Sequence, residues 1–225
     1  MVQQPSLDSL QAALKANIIP MQEYLLQGSI MDTSVENLLH RLRGLCDNVE
    51  SGPENFSDYE VCFVLPLPNQ QVPLSLRVRR AVDHDVPYQL RYLGQSEGQA
   101  DRNRPTLVRN CIDIACTASI VEFLTELGFR IDFEYRIAGY MFRKGRMKIT
   151  VAKLFKSNCP VGTETISQSY LVELSVLAPN GQEAIGEDMR QFAEQLKPLV
   201  QLEKIDHKRL TKDCDKGNGQ TSLKT

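Results

Sequence analysis

Histidine is scarce in this chain, and its cysteines fall into no familiar pattern. Only His40, His84 and His207 occur, with no metal-ligand spacing among them. The six cysteines, at 46, 62, 111, 116, 159 and 214, form no C-x-x-C pair. Cys62 lies within the apolar run 61–65, and Cys111 and Cys116 flank Ile112 and Ile114. They are expected as small buried hydrophobes in a reduced compartment rather than as a disulfide framework. Long apolar runs are missing too, as is a basic stretch followed by an apolar one near residue 1. The expectation is a soluble intracellular protein without membrane contact. Charge of one sign is not in excess: 26 Lys and Arg against 28 Asp and Glu leave −2. Blanket attraction to nucleic acid is thereby excluded as the main mode of action.

Signatures of catalysis are equally thin. Gly181 and Gly186 have the spacing of a phosphate loop, but Glu187 and Asp188 stand where Lys and Ser or Thr are required. Those anions would repel a phosphate, so the segment is expected as a turn before a helix. No serine occupies a G-x-S-x-G elbow, and no histidine is placed as a base for a cysteine.

What is present is an irregular two-fold repeat. With 225 residues, 42% of them apolar, the chain can bury a sizeable core. The first half predicts a strand over 22–30 and a helix opened by a capping box at Thr33-Ser34-Val35-Glu36. That helix carries Val35, Leu38, Leu39, Leu42 and Leu45 on one stripe. Strands are predicted over 59–65, 74–80 and 88–93; in the second of these, Leu74, Leu76 and Val78 alternate with Ser75, Arg77 and Arg79. The second half repeats the order. It has a strand over 106–116, a capping box at Ser119-Ile120-Val121-Glu122, and a helix carrying Val121, Leu124 and Leu127 that stops at Gly128. Strands follow over 129–142, 146–155 and 167–177. A last helix is predicted from near Gly186, carrying Met189, Phe192, Ala193, Leu196, Leu199 and Val200, with a kink at Pro198. About eight mainly antiparallel strands with flanking helices predict an α+β fold built on a closed barrel, because closure removes exposed sheet edges, with an open α+β sheet as the alternative. A single domain is expected over 21–210, preceded by an N-terminal arm over 1–20 and followed by a disordered tail over 211–225.

Charge is unevenly spread. Residues 130–156 hold eight basic side chains against Asp132 and Glu134, whereas 157–203 hold two against seven carboxylates. Such separation suits electrostatically matched docking to another protein. Leu196, Leu199, Val200 and Leu202 crowd the C-terminal segment, and they are the candidate partner-binding residues, as one apolar wall of a groove for a partner helix; the alternative is that all four seal the barrel.

Several strings have a familiar form: EYLLQGSIMD, SVENLLHRLRGLCDN, LRYLGQ, LVRNCIDIA, FRKGRMKI, SYLVELSVLAP and DMRQFAEQLKPLVQLEKID. From about Met21 to about Leu210 they closely resemble, in order, the family of subunit 18 of the Mediator head module, in its animal form. The resemblance implies a many-stranded barrel flanked by helices, in a nuclear coactivator subunit without enzymatic activity or cofactor. It implies pairing with Mediator subunit 20, tethering by the C-terminal helix of Mediator subunit 8, and contact with the RNA polymerase II machinery through the head module, without sequence-specific nucleic-acid binding. The same family resembles tunnel-shaped, metal-dependent triphosphatases, whose first strand carries Glu-x-Glu-x-Lys facing the tunnel. The corresponding stretch here is Glu23-Tyr24-Leu25-Leu26-Gln27, in which only the first position fits. The triphosphatase alternative is therefore disfavoured.

Overall fold

The computed structural model describes residues 21–47, 52–68, 73–94, 104–157, 164–182 and 184–205. The expected arm over 1–20 and tail over 211–225 lie outside the described residues. Eight strands form a closed, antiparallel barrel: β1 (Met21–Met31), β2 (Glu54–Leu65), β3 (Leu74–Ala81), β4 (Tyr88–Leu93), β5 (Leu107–Cys116), β6 (Arg130–Lys144), β7 (Met147–Lys156) and β8 (Ser169–Pro179). Their order around the barrel is β1-β5-β4-β3-β2-β6-β7-β8. Exchanging β1–β4 with β5–β8 maps this ring onto itself, so the sequence repeat is also a two-fold of the topology. Helix α1 (Val35–Leu45) joins β1 to β2, and α2 (Ile120–Glu126) joins β5 to β6. In each case the helix bridges strands that are not neighbours.

The apolar core lies outside the barrel wall, under the helices. Tyr24, Leu26 and Ile30 of β1, Ile149 and Val151 of β7 and Val172, Leu174 and Val176 of β8 pack beneath α1 and α3 (Ala184–Glu194). On α1 the predicted stripe is the buried face: Val35, Leu38, Leu39 and Leu42 are buried and Leu45 packs at its edge. Each fully buried leucine contributes about 2 kcal/mol by leaving water. A second, smaller cluster joins Val61, Phe63 and Val78 to Leu124 of α2 and to Phe129. Among the described residues no helix is long and apolar enough to cross a membrane.

The local predictions need three corrections. Neither capping box forms. One 3₁₀ turn over Asp32–Ser34 moves the first cap from Thr33 to Ser34, whose hydroxyl makes no cap hydrogen bond. The Ser119 hydroxyl is engaged with that of Thr117 at 2.7 Å instead of capping α2. Leu127 is exposed rather than part of the buried stripe. The last helix ends at Glu194, and 195–199 are turns. Pro198 has no amide to donate and disfavours helical backbone at Lys197. The stop at Gly128 holds: its φ is +92°, and the Phe129 amide donates to the Leu124 carbonyl at 3.0 Å.

Candidate functional site

Strand alternation sends every second residue into the lumen, and the barrel registers show which ones. Glu23 pairs with Arg109 across β1 and β5, Arg91 with Asp113 across β4 and β5, Arg77 with Arg91 across β3 and β4, and Glu60 with Arg79 across β2 and β3. Val78, between Arg77 and Arg79, belongs to the outer cluster under α2, so the two arginines face inward. The sequence pattern of β3 therefore has the opposite meaning from a half-solvated strand: its charged face lines a tunnel.

Two carboxylates organise this lumen. Glu60, 1% exposed, accepts from Arg77 at 3.1 Å, from Arg79 at 3.0 and 2.7 Å, and from the Tyr135 hydroxyl at 2.7 Å. Burial opposes its ionisation, but the Arg79 and Arg77 cations and the Tyr135 hydroxyl outweigh burial and hold its pKa below the usual glutamate value. Glu23, 5% exposed, accepts from Arg109 at 2.7 Å and from Arg91 at 3.3 Å. Arg91 also grips both oxygens of Asp113, at 2.6 and 2.8 Å. Such two-pronged contacts are the strong form of the Arg–carboxylate pair. At the neighbouring rungs, Leu25 takes the place of a second carboxylate, and Gln27 donates to Glu173 at 2.6 Å.

These contacts decide what the lumen can do chemically. The carboxylates at its centre already hold guanidinium groups, and among the described residues no three His, Cys, Asp or Glu side chains converge as a metal site. Burial pushes the thiols of Cys62 and Cys111 up to about 11, so neither is a nucleophile at neutral pH. The hydroxyl of Tyr135 is held protonated by burial and by the Glu60 charge.

The predicted partner-binding leucines occupy the other notable region. Leu196, Val200 and Leu202 are buried in the large outer cluster, and Leu199 packs against it half-buried. The segment carrying them is pinned at both ends. Arg41 of α1 donates to the carbonyls of Gln195 at 3.3 Å and Lys197 at 2.8 Å. Further on, Glu203 and Gln27 exchange backbone hydrogen bonds of 2.8 and 2.9 Å, extending the sheet beside β1. A cleft of about 260 Å³ lies beside this segment, lined by Leu26, Pro105, Arg190, Lys197, Gln201 and Leu202 among others.

The basic stretch over 130–156 does not form one patch, because alternation divides it. Lys153 pairs with Asp32 on the outside, Lys144 donates to the Leu45 carbonyl at 2.6 Å, and Arg143 and Lys148 face the lumen mouth. Glu134 accepts from the Tyr59 hydroxyl rather than from Arg136. Of the lumen network, sequence reasoning singled out only Glu23, through the resemblance to tunnel-shaped triphosphatases, and missed Glu60, Arg77, Arg79, Arg91, Arg109 and Tyr135. The signal for the missed residues, charged positions at every second place on β3, is shared with any solvated strand.

The model of the Med18 protein family matches residues 22–212. Mediator of RNA polymerase II transcription subunit 18 from Aedes aegypti is 68% identical over 205 residues, 91% of this chain and 94% of the relative. The protein of that name from Drosophila melanogaster is 62% identical, over 90% of this chain and 94% of its own. Among solved structures, one chain in the Schizosaccharomyces pombe Mediator head module superposes with a TM-score of 0.64 at 18% identity, covering 82% of this chain and 98% of that one. A conserved hypothetical protein from Pyrococcus furiosus shares the fold with a TM-score of 0.53 at 16% identity, over 79% of this chain and 94% of its own.

Proposed function

Since this chain belongs to the family of Mediator of RNA polymerase II transcription subunit 18, we propose that it acts in the nucleus as a non-catalytic structural subunit of the coactivator's head module. The observation that carries this reading is the 68% identity with a relative of that name across 91% of the chain. Its work is protein–protein contact. Mediator subunit 20 is the proposed neighbour and the C-terminal helix of Mediator subunit 8 the proposed tether, with Leu199 the half-buried member of the contact segment. The lumen supports the absence of turnover: Glu23, the single retained position of Glu-x-Glu-x-Lys, is held by Arg109 and Arg91, and Leu25 and Gln27 replace the rest.

Residues 21–210 act as one cooperative unit in this reading. Because β1 pairs with both β5 and β8, and β2 with β6, neither half closes its own sheet. Co-expression with subunit 20 and the subunit 8 helix, followed by gel filtration, tests the partner reading; a single co-eluting peak is expected, and separate elution would refute it. Phosphate release from tripolyphosphate with manganese tests the enzyme reading. Turnover above that of Glu23→Ala would overturn the non-catalytic one.

A further inference from the structure

Two rungs of the lumen place like charges directly opposite each other. Arg77 faces Arg91 across β3 and β4, and Arg143 faces Lys148 across β6 and β7. Directly opposed residues on antiparallel strands have Cβ atoms about 5 Å apart, and like charges there repel. At the first rung carboxylates answer the cations: Glu60 reaches Arg77 at 3.1 Å, and Asp113 reaches Arg91 at 2.6 Å. At the second, no hydrogen bond or ion pair among the described residues reaches the charged atoms of Arg143 or Lys148. Burial and the cations of Arg79 and Arg91 on the facing wall depress the pKa of Lys148, Asp58 pulls the other way, and Arg143 adds the smallest push. Asp58 is drawn both to Arg79, at 3.9 Å, and to Lys148, with which it makes no ion pair, so its single charge is shared between two cations. Both Arg143 and Lys148 remain exposed at the mouth.

We propose that this mouth is a binding site for a phosphate group, held between the Lys148 ammonium and the Arg143 guanidinium. A phosphate supplies the two negative charges that the rung lacks, where a carboxylate supplies one. Its oxygens suit an arginine fork beside a lysine point charge. Further in, Arg79 and Arg91 are held by Glu60, Asp113 and Glu23, so the free positive charge lies at the Lys148–Arg143 rung. The site binds and does not turn over, because the lumen carboxylates are already held by arginines. It is separate from the partner-binding reading and can fail without it.

The test uses the full chain, with calorimetry and thermal melting at ionic strength matched by chloride. The probes are inorganic pyrophosphate and a phosphoserine peptide with its unphosphorylated control; the variants are Lys148→Met and Arg143→Gln. Saturable binding of either phosphate probe, weakened at least tenfold in both variants, is the expected result. Pyrophosphate alone would mark a small-molecule site, and the phosphopeptide would mark a phosphate carried by protein. Lys148→Met should also raise the melting midpoint without ligand, since it removes the repulsion. Binding of neither probe, or equal binding by wild type and variants, overturns the proposal; co-elution with Mediator subunits is read in parallel and should be the same for all variants.

Discussion

Glu60 and Arg79 stand opposite each other on β2 and β3, and the guanidinium donates to one carboxylate oxygen at 3.0 and 2.7 Å inside the barrel. The other oxygen takes Arg77 and Tyr135, so one buried carboxylate ties three strands together. Removing its charge leaves two cations without their anion in a shielded lumen. Glu60→Gln should lower stability by about 3 kcal/mol, the low end for breaking a buried pair because Arg77 and Arg79 keep some solvent contact. Urea denaturation measures this, and a loss under 1 kcal/mol would mean that the network contributes little.

The same carboxylate sets a pH dependence. Its folded pKa is depressed, so its stabilisation is fully present above the ordinary glutamate value of about 4.3 and is lost as pH falls through the folded value. The melting midpoint of the wild type should therefore fall on acidification below that value. Glu60→Gln should show a shallower fall from a lower starting point in scans from neutral to acidic pH. Parallel curves would assign the acid sensitivity to other groups.

Gly28 is required by close approach. A Cβ there would fall inside van der Waals contact of the Gln201 carbonyl oxygen and 3.1 Å from Leu202 Cδ2. Gly28→Ala should push 201–203 off β1 and break the Gln27–Glu203 bridge, lowering the melting midpoint by several degrees, since about 1 kcal/mol shifts a domain of this size by 2–4 °C. Hydrogen exchange should quicken at the amides of Gln27 and Glu203. Unchanged exchange would show that the segment is not held by this contact.

The four C-terminal leucine and valine positions separate by burial. Leu202→Asp places a charge in the outer core and should destabilise the fold by several kcal/mol, visible as a lowered midpoint. Leu199→Asp, at the half-buried position, should leave the midpoint within a few degrees of wild type while weakening capture of the subunit 8 helix in pull-down. Full capture by a folded Leu199→Asp would remove that residue from the contact.

Much of the wall was legible in the sequence. The eight strands, the two-fold repeat and the α1 stripe follow from periods of two and 3.6 residues, and Gly128 marked its helix end. The direction in which the strands face was not legible. On β3, Leu74, Leu76 and Val78 are apolar whether their partner is a barrel interior or an outer helix. Arg77 and Arg79 look like solvated residues in either case, and only barrel closure, a pairing of residues far apart in sequence, puts them inside. Thr33 and Ser119 failed as capping-box residues for a local reason: a 3₁₀ turn and a neighbouring hydroxyl competed for the same short side chains. The apolar run through Leu199 continued the period of α3 past the point where Pro198 forbids helix, so turns carry side chains that the periodicity assigned to a helical face.

Affinity purification of the tagged full chain from nuclear extract, with mass spectrometry of what accompanies it, tests the central claim most directly. The account predicts recovery of other Mediator subunits, with subunits 20 and 8 among the most abundant. Recovery as a free cytosolic protein with no Mediator subunit attached would contradict it.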